Sequence, residues 1–137
     1  AVLAAAVADF KPGRAAQHKL KKADGPPSLN LVPTVDILAE LGRSKGGRFL
    51  CGFAAETRDL RANAAAKLKS KNLDMIVAND VSDRTIGFAS DLNAVTILTR
   101  DGRTIEVGRA PKAAVAKLIT DAIHGMLDGG RRKKSKG

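Results

Sequence analysis

Three stretches of the chain are apolar at almost every position: AVLAAAVA (1–8), RFLCGFAA (48–55) and DMIVA (74–78). None of them alternates polar with apolar. A strand with one wet face must alternate, because successive side chains point to opposite sides. Runs like these fit strands covered on both faces, as in a parallel sheet flanked by helices. Residues 1–8 keep a second reading, since alanine favours helix. Pro12-Gly13 ends that element on either reading.

Between the runs lie segments with helical signals. Thr34 is placed to cap a helix running through Leu41, with Asp36 near its positive end. Thr57 is placed to cap a second helix over Arg58 to Lys71. Residues 13–28 are polar, rich in lysine and closed by Gly25-Pro26-Pro27, which predicts an exposed flap. LNLVP (29–33) predicts a short strand after it. Further on, AVTILTR (94–100) alternates with period two, Asp101-Gly102 predicts a two-residue hairpin turn, and residues 103–107 return. Pro111 suits the first turn of a last helix. That helix carries Val115, Leu118, Ile119, Ala122, Ile123 and Met126 on one stripe, and Gly129-Gly130 is expected to end it.

The order strand, helix, strand, helix, strand, hairpin, helix predicts an α/β domain. The expected architecture is a Rossmann-like three-layer fold: a mostly parallel sheet, a C-terminal β-hairpin and a final helix. The domain is expected over residues 1–128, with 129–137 a basic, disordered tail. The first residue is Ala1, already inside an apolar run. The reading is therefore a partial domain whose amino-terminal part is missing.

Charge and composition narrow the function. The 137 residues carry a net charge of +10, and the tail Arg131–Gly137 supplies half of it. The remainder still suits an anionic ligand. Aromatic residues make up only 3%, with no Trp or Tyr, which argues against a stacking platform for single-stranded nucleic acid. Cys51 is the single cysteine, so no internal disulfide forms. It lies in an apolar run, where packing is the expected role. No apolar stretch reaches membrane-spanning length and none resembles a signal peptide, so a cytoplasmic location is expected. His18 and His124 have no partner at metal-ligand spacing. Neither G-x-x-x-x-G-K-[ST] nor G-x-G-x-x-G occurs.

In open α/β sheets, ligands sit beyond the carboxyl ends of the strands. Ala8-Asp9-Phe10, Phe53–Thr57 and Asn79-Asp80-Val81 fall at such ends. Small residues there let a ligand approach the backbone, and a carboxylate can take a hydroxyl or a metal ion. Capping a turn is an equal alternative for Asp9. Lys67 and Lys71 share a helix face, whereas Lys69 lies about 200° around from Lys67. The pair suits the helix dipole and also suits a polyphosphate.

Six stretches together resemble one family, the phosphopantothenoylcysteine synthetases. In bacteria this is the ligase half of a bifunctional phosphopantothenoylcysteine decarboxylase/phosphopantothenate–cysteine ligase. The stretches are AAAVADFKP (4–12), KLKK (19–22), VDIL (35–38), GFAAET (52–57), KLKSKNLDMIVANDV (67–81) and GFASDLNAVTIL (87–98). The resemblance covers residues 1 to about 127. It implies a ligase of coenzyme A biosynthesis that joins 4′-phosphopantothenate to L-cysteine. The phosphopantothenate carboxylate attacks the α-phosphate of CTP, giving an acyl-cytidylate and pyrophosphate; the cysteine amine then displaces CMP. Mg²⁺ is implied with CTP, and FMN only where a decarboxylase half lies upstream.

The implied nucleotide contacts are Leu3, Ala4, Ala5, Asp9, Lys19, Val35, Asp36, Ile37, Leu38, Phe53, Lys67 and Lys71. Asn79, Asp80 and Phe88 match motif positions with no assigned role. No catalytic side chain and no metal ligand is assigned either. Thr34-Val35 stands where the family commonly has Asn-Pro. A family asparagine that contacts the acyl intermediate falls before Ala1, so this stretch alone is expected to be inactive. The resemblance also implies a homodimer or higher oligomer, with the flap and hairpin region contributing. Two other readings stand beside it: a basic nucleic-acid-binding module, disfavoured by the buried strands, and an NAD(P)-dependent oxidoreductase, which lacks a visible dinucleotide loop.

Overall fold

The computed structural model of the chain describes residues 1–14, 17–19, 21, 28–82 and 90–134, with side chains through 129. Its frame is a five-stranded sheet in the order β1 (Val2–Leu3), β4 (Cys51–Glu56), β5 (Met75–Asp80), β6 (Leu92–Thr99), β7 (Thr104–Pro111). A separate antiparallel ribbon joins β2 (Phe10–Pro12) to β3 (Leu31–Pro33). β1, β4 and β5 are parallel neighbours, β6 alone runs the other way, and β7 turns back into the common direction. Three helices complete the chain: α1 (Ile37–Arg43), α2 (Leu60–Ser70) and α3 (Lys112–Lys134).

The apolar runs at 48–55 and 74–78 behave as two-sided strands. Met75 and Val77 face one side of the sheet and pack with Cys51, Val95, Ile97, Val107, Val115 and Ile119 under α3. Ile76 and Ala78 face the other side and pack with Leu50, Ala54, Ala64, Leu73 and Leu98 under α1 and α2. Helices therefore cover both faces, as three layers. Two glycines let these layers close. A Cβ at Gly42 would overlap the Lys71 carbonyl, and one at Gly52 would strike Leu38.

Residues 1–8 do not form the fully covered strand that their composition suggests. Only Val2–Leu3 pairs, and Val2 is half exposed. β1 is the outermost strand of the sheet, and the alanines after it have too little side chain to hold a packed wall.

Several boundaries also move. Thr34 does not cap α1. Its hydroxyl donates to the Ala8 carbonyl and its N–H to the Asp9 carbonyl, tying the ribbon to the end of β1. Asp36 caps instead, accepting from Ala39 N–H at 3.0 Å. α2 follows Asp59, which adopts left-handed φ of 48° and makes no side-chain cap. The hairpin connection has four residues, Arg100 to Arg103, with Gly102 at φ 88°. β7 runs on through Pro111, so the proline ends a strand and α3 begins after it. α3 also continues past Gly129-Gly130, because a helical glycine costs only about 1 kcal/mol. Phe88, Leu20 and Lys22 lie outside the described residues.

At the amino end of β5 sits an ion pair that is largely out of water. Asp74 accepts from Lys45 Nζ at 2.6 Å and from Leu50 N–H at 2.8 Å. The Lys45 side chain is 9% exposed and that of Asp74 20%. Removing one partner of a buried pair strands the other, at about 3–5 kcal/mol. Asp74→Ala is expected to lose about that much stability in urea unfolding; a loss under about 1 kcal/mol would refute this role for the pair.

Candidate functional site

The cleft lies beyond the carboxyl ends of β1 and β4, where the parallel part of the sheet opens. Its volume is about 380 Å³. One wall is backbone and small side chains, from Leu3 and Ala5 to Ala8 and Asp9. Thr34 to Leu38, entering α1, form a second wall. Phe53, Ala54 and Ala55 of β4 line the floor, and Lys67 and Lys71 come from the far end of α2.

This cleft gathers Leu3, Ala5, Asp9, Val35, Asp36, Ile37, Leu38, Phe53, Lys67 and Lys71 from four separate stretches. Two of the residues singled out from sequence stand apart. Ala4 does not line the cleft, and Lys19 is exposed in the segment between β2 and β3. Asn79 and Asp80 end β5, one strand further in. Asn79 Oδ1 is buried without a hydrogen-bond partner among the described residues.

The charges in the cleft are arranged in pairs. Lys71 Nζ lies 2.8 Å from Asp36 Oδ2, and Lys67 Nζ lies 2.6 Å from Glu56 Oε1. The Lys71 ammonium, helped by Ala39 N–H, holds the Asp36 carboxyl below the usual carboxylate range. Asp9 differs: its carboxylate has no partner among the described residues. Lys69 does not line the cleft. Cys51 is fully buried, and burial pushes its thiol up to about 12, which leaves it no role as a nucleophile.

Sequence reasoning passed over Glu56. Its signal was present in two parts: a strand-end acid, and Asn63 and Lys67 one helical turn apart on α2. Both α2 side chains converge on Glu56, Asn63 Nδ2 at 3.1 Å from its second oxygen. Thr34 has the local character of a cap, and its tertiary contact joins two walls instead.

Cleft residues drawn from this many segments invite comparison with known proteins. Residues 1–126 match the family described as "DNA/pantothenate metabolism flavoprotein C-terminal domain". The chain belongs to this family. A relative is the coenzyme A biosynthesis bifunctional protein CoaBC of Bacillus subtilis (strain 168), 52% identical over 119 residues. That match takes in 87% of this chain and 29% of the relative, so the chain spans about a third of such proteins. Among solved structures, the C-terminal domain of CoaBC superposes with a TM-score of 0.70 at 38% identity. The match covers 91% of this chain and 53% of that one. A Cab2 mutant in complex with phosphopantothenate-cysteine shares the fold at a TM-score of 0.62 and 21% identity, over 93% of this chain and 45% of that one. Both likenesses agree with the mixed, mostly co-directional sheet described above. Among the described residues, no helix is long and apolar enough to cross a membrane.

A depressed carboxylate stabilises the fold above its unfolded pKa, about 3.9 for aspartate. That contribution disappears as pH falls through the lower folded value. Asp36→Asn is therefore expected to make the acid loss of stability below about pH 4 shallower than in the parent. Urea midpoints at pH 7, 4 and 3 check this, and parallel curves for the two proteins would contradict it.

Proposed function

We propose that this domain is the nucleotide-binding part of a CTP-dependent phosphopantothenate–cysteine ligase in coenzyme A biosynthesis. The observation that carries the reading is the cleft itself. Ten residues expected to meet the nucleotide, scattered over nearly 70 positions of sequence, line one depression at the strand ends. Family membership supports the same reading.

In this reading the backbone at Leu3 and Ala5 lies against the nucleotide, with no bulky side chain to hold it off, and Ala4 joins them as a link of the same wall. Val35, Ile37 and Leu38 pack beside it, and Phe53 closes the floor. Lys67 and Lys71 carry the triphosphate charge, and Lys19 approaches from the flap segment. Asp9 and Asp36 are the carboxylates of the cleft. Magnesium uses few carboxylates when phosphates complete its shell, so Asp9, unpaired among the described residues, fits that ion. When bound, Mg²⁺ neutralises charge developing on the phosphates.

The reaction proceeds by two displacements. The carboxylate of 4′-phosphopantothenate attacks the α-phosphate, the bond to pyrophosphate breaks, and an acyl-cytidylate forms. The amine of L-cysteine then attacks the acyl carbon, CMP leaves, and the amine gives up its proton. Neither step needs a side-chain nucleophile. The work of this chain is to position and neutralise. FMN is proposed only for a decarboxylase half outside the matched segment. Cytoplasmic placement and a homodimer belong to the same proposal; Phe10 and Leu31, exposed on the ribbon, supply apolar surface for the dimer.

The test is nucleotide binding by calorimetry with Mg²⁺. CTP is expected to bind better than ATP, NAD(P) or RNA. Lys67→Gln and Lys71→Gln should each weaken CTP by tenfold or more, the size of one charge-assisted contact of about 1.5–3 kcal/mol. Their ion pairs are partly exposed, so stability should change by at most about 1 kcal/mol each. Lys69→Gln should change neither. Equal, small effects at all three positions would return these lysines to a solvated helix end. RNA binding with a steep salt slope, or NAD(P) preference, would overturn the ligase reading.

A further inference from the structure

Glu56 stands just behind the cleft lining with its side chain close to buried, at 11% exposure. It stands at the carboxyl end of β4 and both its oxygens are used. Oε1 meets Lys67 Nζ at 2.6 Å and Oε2 accepts from Asn63 Nδ2 at 3.1 Å. Asn63 is itself fixed, donating to the Arg58 carbonyl at 3.0 Å. The Glu56 carbonyl accepts from Val81 N–H at 3.0 Å, so the backbone is anchored as well. Lys67, by contrast, is 43% exposed and borders the open cleft. A fixed acid thus grips a movable cation at the edge of a space for a ligand.

We propose that Glu56 is a positioning residue that acts through Lys67. It is the resting counter-ion of the ammonium, and a phosphate-bearing ligand must share or take that ammonium from it. This rests on the nucleotide reading of the cleft and adds to it a residue that touches no ligand. The physical reason is charge balance. With Glu56 and Asp36 in place, both cleft lysines are already paired. An arriving phosphate gains the lysine but meets a carboxylate held behind it. Glu56 therefore sets anion affinity below what two bare lysines would give, and keeps the Lys67 side chain in one orientation while the cleft is empty.

The probes are inorganic pyrophosphate and CTP, titrated into the whole 137-residue chain by calorimetry. Glu56→Gln keeps the size and one acceptor oxygen but removes the charge. It should raise affinity for both probes by about three- to tenfold. In a Lys67→Gln background the same change should raise it by under about twofold, because the effect runs through that ammonium. Unchanged or weaker binding in Glu56→Gln, or an equal rise without Lys67, overturns the proposal. Should Glu56→Gln fail to fold, Glu56→Asp retracts the carboxylate from Nζ while keeping its charge. A smaller rise in the same direction is then expected, and no rise overturns it. Binding lost in Lys67→Gln yet indifferent to Glu56→Gln sinks this proposal and spares the nucleotide reading. A parent chain that binds neither probe sinks both.

Discussion

The burial of β5 on both faces at once is the constraint from which the rest of the structure follows. Met75, Ile76, Val77 and Ala78 are at most 1% exposed. Four consecutive positions with no water on either side admit no polar side chain, so polarity is forced to the ends of the strand. Asp74 receives it at one end, with Lys45 and the Leu50 N–H. Asn79 and Asp80 carry it at the other, where the strand emerges beside the cleft. The same two-sided burial demands helices above and below, which α3 on one face and α1 with α2 on the other provide. It also brings the end of α2, with Lys67 and Lys71, to the edge of the sheet.

What the sequence made legible is tied to this constraint. Continuous apolar runs at 48–55 and 74–78 marked central strands because a strand covered on both faces has no need to alternate. The helical offset put Lys67 and Lys71 on one face and Lys69 on another, and the cleft meets the shared face. Local signals did less well where tertiary contacts compete for the same atoms. Thr34 is as good a cap as Asp36 in isolation, but its hydroxyl is taken by Ala8. Asp59 precedes α2 in a left-handed conformation that no preference of aspartate for caps requires. The partnership of Lys45 with Asp74 spans 29 positions and follows from no periodicity. Glu56 was hidden for a similar reason: its partners sit on a helix that returns only after the chain has left the strand.

The cleft combines two kinds of wall. Around Leu3 to Ala8 the surface is nearly bare backbone, which offers hydrogen-bonding groups with little steric screen. Around α2 it is charged, with each ammonium facing its own carboxylate. The apolar residues at its margin, Val7, Val35 and Ile37, are about half exposed or more. Such a surface is neither a greasy pocket nor an open cationic patch. It suits a ligand with one flat end and one anionic end.

The outermost strand has a consequence for how firmly that surface is held. β1 is two residues long and reaches β4 across nearly fifty positions of chain, through Ala1 with Phe49 and Cys51. Closing so long a loop costs entropy that a two-residue ladder repays poorly. β5, β6 and β7, in contrast, are joined over short separations by many paired residues. The backbone wall of the cleft is thus softer than the centre of the sheet. Amide exchange should reach Val2 and Leu3 long before Val77 or Ile97. Occupancy of the cleft would then be written first into the protection of β1, as a local tightening at one edge of an otherwise rigid sheet.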